Sequence, residues 1–257
     1  CCFVLAVLLS ECRFEIHVLS GRALTKWPRT LIESIPAASG PGRSHRITRY
    51  LERSPKSVLT VYAMSLAFMT YFCMFAFRKP FTVATYEGVS QPGTQIDLKT
   101  ALVLSQIIGY TLSKFIGIKV NSEMGRSYRA FAIVAALTAA EVTLILFALT
   151  PANWNKVPIF FNGLCLGVIW GLVVAYLEGR STSEILLAGL SCSYIVATGV
   201  VKDCGRWVLS WGVGESWMPA LTGVPFLLLL FLVVYGLDKI PEPTPDDVRM
   251  RCRRAPM

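Results

Sequence analysis

Six apolar blocks of about 20 residues, separated by short polar breaks, leave this chain few ways to fold. They cover residues 57–85, 98–119, 128–149, 157–177, 184–206 and 218–238. A helix of about 20 residues spans a hydrocarbon core of roughly 30 Å. Within hydrocarbon each backbone N–H and C=O must be satisfied inside the segment, so apolar blocks of this length read as transmembrane helices. The composition agrees: 54% of the 257 residues are hydrophobic and 16% charged, where soluble domains carry about 25%. The predicted fold class is an all-α membrane protein with six transmembrane helices.

Three regions follow from this pattern. Residues 1–56 form a basic lead-in, in which "SHRITRYLERS" is read as a short surface helix or a disordered tail. Residues 57–240 form the membrane domain, and the proline-broken, basic residues 241–257 form a linker or tail. Lysine and arginine set the orientation. The lead-in holds nine of them, and Arg126, Arg129, Arg180 and Lys239 fall on the same side. Lys99, Lys156 and Arg206 fall on the other. Both termini are therefore predicted to be cytoplasmic. The net charge of +9 is absorbed by this bias, and nucleic acid is not an expected partner.

The eight cysteines show no CxxC or zinc-like spacing, and no cofactor or metal is predicted. Neither HExxH nor GxSxG nor a P-loop occurs, and His17 and His45 both precede the first block. An intramembrane hydrolase would have to use Ser191 or Ser193 with Lys202, a spacing that offers no support. A non-transporting scaffold or sensor is the other alternative. Gly163, Gly167 and Gly171 recur every four residues, a small-residue stripe that lets helices approach, and Gly109, Gly117, Gly189 and Gly199 are assigned the same service.

Polar residues inside the blocks carry the functional reading, because ionisable groups in a bilayer are costly. "FRKPF" places Arg78 and Lys79 before an apolar continuation, and Pro80 kinks membrane helices more readily than it ends them. The first span is accordingly predicted to run on to residue 85, with Arg78 facing the interior. Lys114, 16 residues into the antiparallel second span, is predicted at comparable depth. With Tyr71, Tyr110 and Tyr194 nearby, the two cations would form a site for a small anion. Glu141, mid-way along the third span, is read as a proton-coupling group or as the partner of Lys114 or another buried cation. Lys202 and Asp203, near the outer end of the fifth span, are read as pairing locally or snorkelling to the surface.

"FRKPF" followed by "DLKTALVLSQIIGYTLSKFIGIKVNSEMGR" resembles the first two spans of major facilitator superfamily transporters, especially the organophosphate:phosphate antiporter branch. The likeness covers about residues 71–129. It implies that Arg78 corresponds to a phosphate-binding arginine, and Lys114 to a lysine that reaches the substrate. It also implies one six-helix half of that fold, built from two inverted three-helix repeats. Two departures stand out: Asn121 and Ser122 lie near the Asp-Arg of the family's loop, and no histidine matches its helix-five histidine. "YLEGRSTSEIL" and "WMPALTG" resemble an uncharacterised bacterial-type family related to the same superfamily. The resemblance implies a membrane transporter, or its N-terminal half, for a small anionic solute, whether phosphorylated or not. It further implies that these residues alone do not transport, but act as a homodimer or with a missing C-terminal half.

Overall fold

The computed structural model describes residues 46–86, 97–151 and 153–243. Helix α1 (Arg46–Arg53) is followed by α2 (Lys56–Arg78), α3 (Leu98–Glu123) and α4 (Arg126–Leu149). Then come α5 (Lys156–Gly167) and α6 (Ile169–Leu177), which together make the fourth span, α7 (Ser183–Ser210) and α8 (Met218–Asp238). No strand occurs among the described residues. Six of these helical stretches have the length and hydropathy to cross a membrane, which is the signature of a multi-pass membrane protein.

Their outward faces say the same. Ile108 and Phe115 on α3, Phe131 and Leu149 on α4, Ile195 on α7 and Leu228 and Leu232 on α8 are all exposed. Apolar surface this extensive is a lipid-facing or partner-facing surface, not a water-facing one. Lead-in residues 1–45 lie outside the described residues. Within the rest, Arg46–Arg53 of that stretch form helix α1, which buries Leu51 and whose Thr48 Oγ1 donates to the Lys239 carbonyl (3.1 Å).

The first span is shorter than predicted. Helix α2 stops at Arg78, and Pro80–Thr82 form a 3₁₀ turn. Pro80 has no N–H to continue the ladder. The N–H groups of Thr82 and Val83 turn instead to the carbonyls of Lys79 and Pro80. The proline therefore ends the helix rather than kinking it, and Arg78 occupies its last turn. The segment beyond is held at the far end of the bundle by Glu215, whose carboxylate accepts from the N–H of Tyr86 (2.8 Å) and the hydroxyl of Thr85 (3.2 Å).

Packing is pairwise. The most extensive pair is α3 on α5, followed by α2 on α7, α2 on α8, α4 on α5 and α4 on α8. The glycine stripe explains the first. A β-carbon on Gly163 would lie 2.2 Å from the Gln106 carbonyl, and one on Gly167 would lie 2.6 Å from the Tyr110 carbonyl. The two backbones touch there, which any side chain would prevent. Gly109 and Gly171 likewise lie against α5 and against Asn121, and Gly189 against Met64. Gly199 does not share this service: its Cβ position opens on empty space.

The end of the bundle carrying Lys56, Arg126, Arg180 and Lys239 is closed by the segment after α8. Arg126 Nη2 donates to the Ile240 carbonyl and Arg180 Nη2 to the Pro241 carbonyl, while Arg129 Nη1 donates to Ala175 O (2.9 Å). These arginines act as clamps, satisfying the carbonyls of Ile240 and Pro241 beyond α8 and that of Ala175 in the last turn of α6.

Candidate functional site

Close packing of α3 on α5 puts two amides side by side in the interior. Gln106 Nε2 donates to Asn162 Oδ1 (2.8 Å), and Asn162, fully buried, donates from Nδ2 to the Ala140 carbonyl (3.1 Å) and Thr143 Oγ1 (3.2 Å). Gln106 Nε2 also donates to the Arg78 carbonyl (3.2 Å). That carbonyl is one of those left over where α2 ends, so an amide from α3 takes the place of the next turn. The backbone of Arg78 is thereby tied to α3, α4 and α5 at one level.

One turn along α3 from Gln106 stands Tyr110, and it receives both cations. The Arg78 guanidinium carbon is 4.0 Å from the ring centroid, and Lys114 Nζ is 5.1 Å from it. The structure thus brings Arg78, Tyr110 and Lys114 together, though by a route other than matched depth. Helical rise places Lys114 about 12 Å along α3 from Gln106, the level at which the Arg78 backbone is held. The two long side chains close the gap by reaching toward each other. Cation–π contacts of this kind are worth about 0.5–2 kcal/mol each, more when desolvated.

An aromatic wall extends from this cluster. Arg78 also lies 5.9 Å from the Phe75 ring, which stacks on Tyr194 (6.5 Å) and meets Tyr71 edge-on (5.5 Å). Tyr71 in turn meets Trp170 (5.0 Å). Tyr194 therefore borders the cluster through Phe75. These residues come from α2, α3, α6 and α7, while α4 and α8 contribute none of them.

Glu141 lies elsewhere. It is 4% exposed on α4 and turned toward α8, where its Oε2 is 2.1 Å from the point a Gly223 β-carbon would occupy. Neither carboxylate oxygen has a hydrogen-bond partner, so the predicted pairing with Lys114 is not formed. Asp203 pairs with Arg206 (2.6 Å), one turn on, and not with Lys202. Among the described residues no group of His, Cys, Asp or Glu could hold a metal ion.

Residues 80–257 match the profile of a family of unknown function, DUF5690. The chain belongs to DUF5690. No curated protein and no solved structure matches it. In this DUF5690 protein the match includes Gln106, Tyr110, Lys114, Glu141, Asn162, Trp170 and Tyr194, and begins two residues after Arg78.

Several members of the cluster carry a signal in the sequence that charge alone does not reveal. Gln106 and Asn162 are amides set in apolar blocks, "LVLSQII" and "IFFNGLC". A buried amide needs partners, which makes it a marker of a polar network. Phe75 and Trp170 carry no such signal, since aromatic residues are common throughout the spans.

Proposed function

We propose that this protein is the six-helix bundle of a membrane transporter of the major facilitator type, and that Arg78 and Lys114 bind a small anionic, phosphorylated solute. The observation carrying this reading is the convergence of two cations on the ring of Tyr110 inside an apolar bundle. Their charges lie within about 9 Å of each other. An anion between them would meet arginine as a bidentate fork and lysine as a point charge.

The helix packing supports the two-repeat architecture. Exchanging α2, α3 and α4 with the fourth span, α7 and α8 maps the α3–α5 contact onto α7–α2, and the α2–α8 contact onto α5–α4. The α4–α8 contact maps onto itself. An odd number of crossings inverts the second triple, as inverted repeats require. In this arrangement the first, second, fourth and fifth spans line the transport path, and they are the spans that supply the cluster. A second six-helix bundle, from a second copy or from a C-terminal half, completes the path. The basic end, with Arg126, Arg129, Arg180 and Lys239, faces the cytoplasm.

Binding of inorganic phosphate and glycerol phosphate to the purified chain, measured by calorimetry in mild detergent, tests the site. Saturable binding that is lost in Arg78→Ala supports it. Binding that survives Arg78→Ala unchanged overturns it. Labelled-phosphate counterflow into liposomes, with light scattering on the same sample, then separates a transporter from a scaffold that merely binds.

A further inference from the structure

The anion cluster leaves one buried ionisable group unexplained. Glu141 stands about 22 Å along α4 from Arg126 by helical rise, deep within the third span. At its carboxyl three helices meet. Gly223 of α8 yields the space for Oε2, and Phe77 of α2 lies 3.3 Å from the same Gly223 β-carbon position. Phe77 immediately precedes Arg78.

Among the described residues, no hydrogen bond or ion pair balances a negative charge on Glu141. Helices α2, α5, α6 and α8 pack on α4. The ionisable groups on them are Lys56, Tyr62, Tyr71, Cys73 and Arg78 on α2, Lys156 and Cys165 on α5, Tyr176 on α6, and Tyr235 and Asp238 on α8. None of these bonds to Glu141, and both of its oxygens lack a hydrogen-bond partner. A carboxylate so placed costs several kcal/mol, and the neutral acid costs less. Ionisation of Glu141 therefore requires the α4–α8 seam at Gly223 to open and admit water.

Such an opening reaches the anion cluster by two short links. One is Phe77, which shares the seam and adjoins Arg78. The other is the amide chain: the carbonyl of Ala140, next to Glu141, accepts from Asn162, whose Oδ1 accepts from Gln106, which also holds the Arg78 carbonyl. Moving α4 away from α8 loosens the anchor of Arg78. That loosening favours the anion when Glu141 carries its proton.

We propose that Glu141 is a proton-binding site linked to the Arg78–Lys114 cluster, so that anion and proton bind together and cross the membrane together. The linkage rests on the anion reading above, while the proton site does not. Linkage is reciprocal: a proton that tightens anion binding is itself bound more tightly when the anion is present.

Two measurements on the full chain test this. Dicyclohexylcarbodiimide modifies protonated carboxyls in apolar surroundings, and mass spectrometry locates the adduct. Labelling at Glu141 should be strong at low pH and decline as pH rises. Labelling that is absent, or the same from pH 5 to pH 9, overturns the proton site without recourse to any variant. Sulfate, whose charge is constant over that range, is the anion probe. Its affinity should fall by up to about tenfold per pH unit once Glu141 ionises. The Glu141→Gln variant should flatten that profile, and Glu141→Asp should keep it. Sulfate binding that is independent of pH in the unmodified protein overturns the linkage while leaving the anion site intact. If sulfate and phosphate both fail to bind and labelling still tracks pH, the anion reading has failed and the proton site stands alone.

Discussion

Arginines hold two regions of this molecule, and they do so in different ways. At the basic end, Arg126, Arg129 and Arg180 donate to the carbonyls of Ile240, Ala175 and Pro241. In the interior, Arg78 rests on the ring of Tyr110 beside Lys114, and its own carbonyl is held by Gln106. A hydrogen bond to a carbonyl uses the donors of a guanidinium, whereas a cation–π contact engages its charge through the ring quadrupole and uses no donor. The first arrangement closes a structure. The second holds a charge in position. The same residue type thus serves as a clamp in one region and as a candidate ligand in the other, and the partner distinguishes the two.

An all-or-none test of this contrast is sidedness. On a cysteine-less background, a cysteine at Trp154, which is exposed at the end opposite the clamp, should react with impermeant maleimide from outside. One at Ser181, beside the clamp, should react from inside alone. The reverse pattern would exchange the roles of the two ends and end the cytoplasmic assignment.

Next in size is the loss at Arg78. Removing a charge-assisted contact costs about 1.5–3 kcal/mol, so Arg78→Ala should weaken phosphate binding roughly 10–150-fold. Arg78→Lys should lose nearly as much, because an ammonium cannot reproduce the fork. Lys79→Ala should be mild, since Lys79 caps α2 in a near-helical conformation and so points about 100° away from Arg78. Calorimetry on the three variants decides it, and equal losses at 78 and 79 would contradict a specific arginine site.

A smaller effect, on stability, should follow at Gly163. An alanine there meets the Gln106 carbonyl at 2.2 Å, and overpacking of this kind costs about 1–3 kcal/mol. Arg180→Ala should cost about 1–2 kcal/mol by leaving the Pro241 carbonyl unpaired, with phosphate affinity unchanged. Thermal unfolding in detergent measures both. An Arg180 variant that unfolds normally but loses phosphate would reverse the comparison between clamp and site. The smallest change is expected for Gly199→Ala, where nothing lies within 4 Å and stability should shift by no more than about 1 kcal/mol.

Much of the fold is legible in the sequence. Block length and hydropathy specify six long helices, and their bounds fall within about four residues of those expected, apart from the first span. The first departs because proline can either kink or end a membrane helix. Which occurs depends on whether another group takes up the freed carbonyls, and Gln106 of α3 does so for Arg78. Of the candidate residues, Arg78, Lys114 and Tyr110 were visible as polar groups in apolar blocks. Phe75 and Trp170 were not, because nothing in a run of aromatic residues tells which of them faces a cation.

What the sequence determined by itself is therefore local: helix type, number and approximate length, the small-residue stripe on the fourth span, and the charge asymmetry between the two ends. Each depends on a residue's own chemistry and that of its near neighbours along the chain. Tertiary structure alone decided the partnerships. It brought Lys114 to the ring that Arg78 covers, turned Glu141 away from both toward Gly223, and left Gly199 facing open space while Gly163 touches a backbone. The physical reason is that a helix's period specifies which residues share a face, but not which helix that face will meet. That choice belongs to the packing of the whole bundle, where close approach at a few glycines sets the distances at which long polar side chains can reach one another.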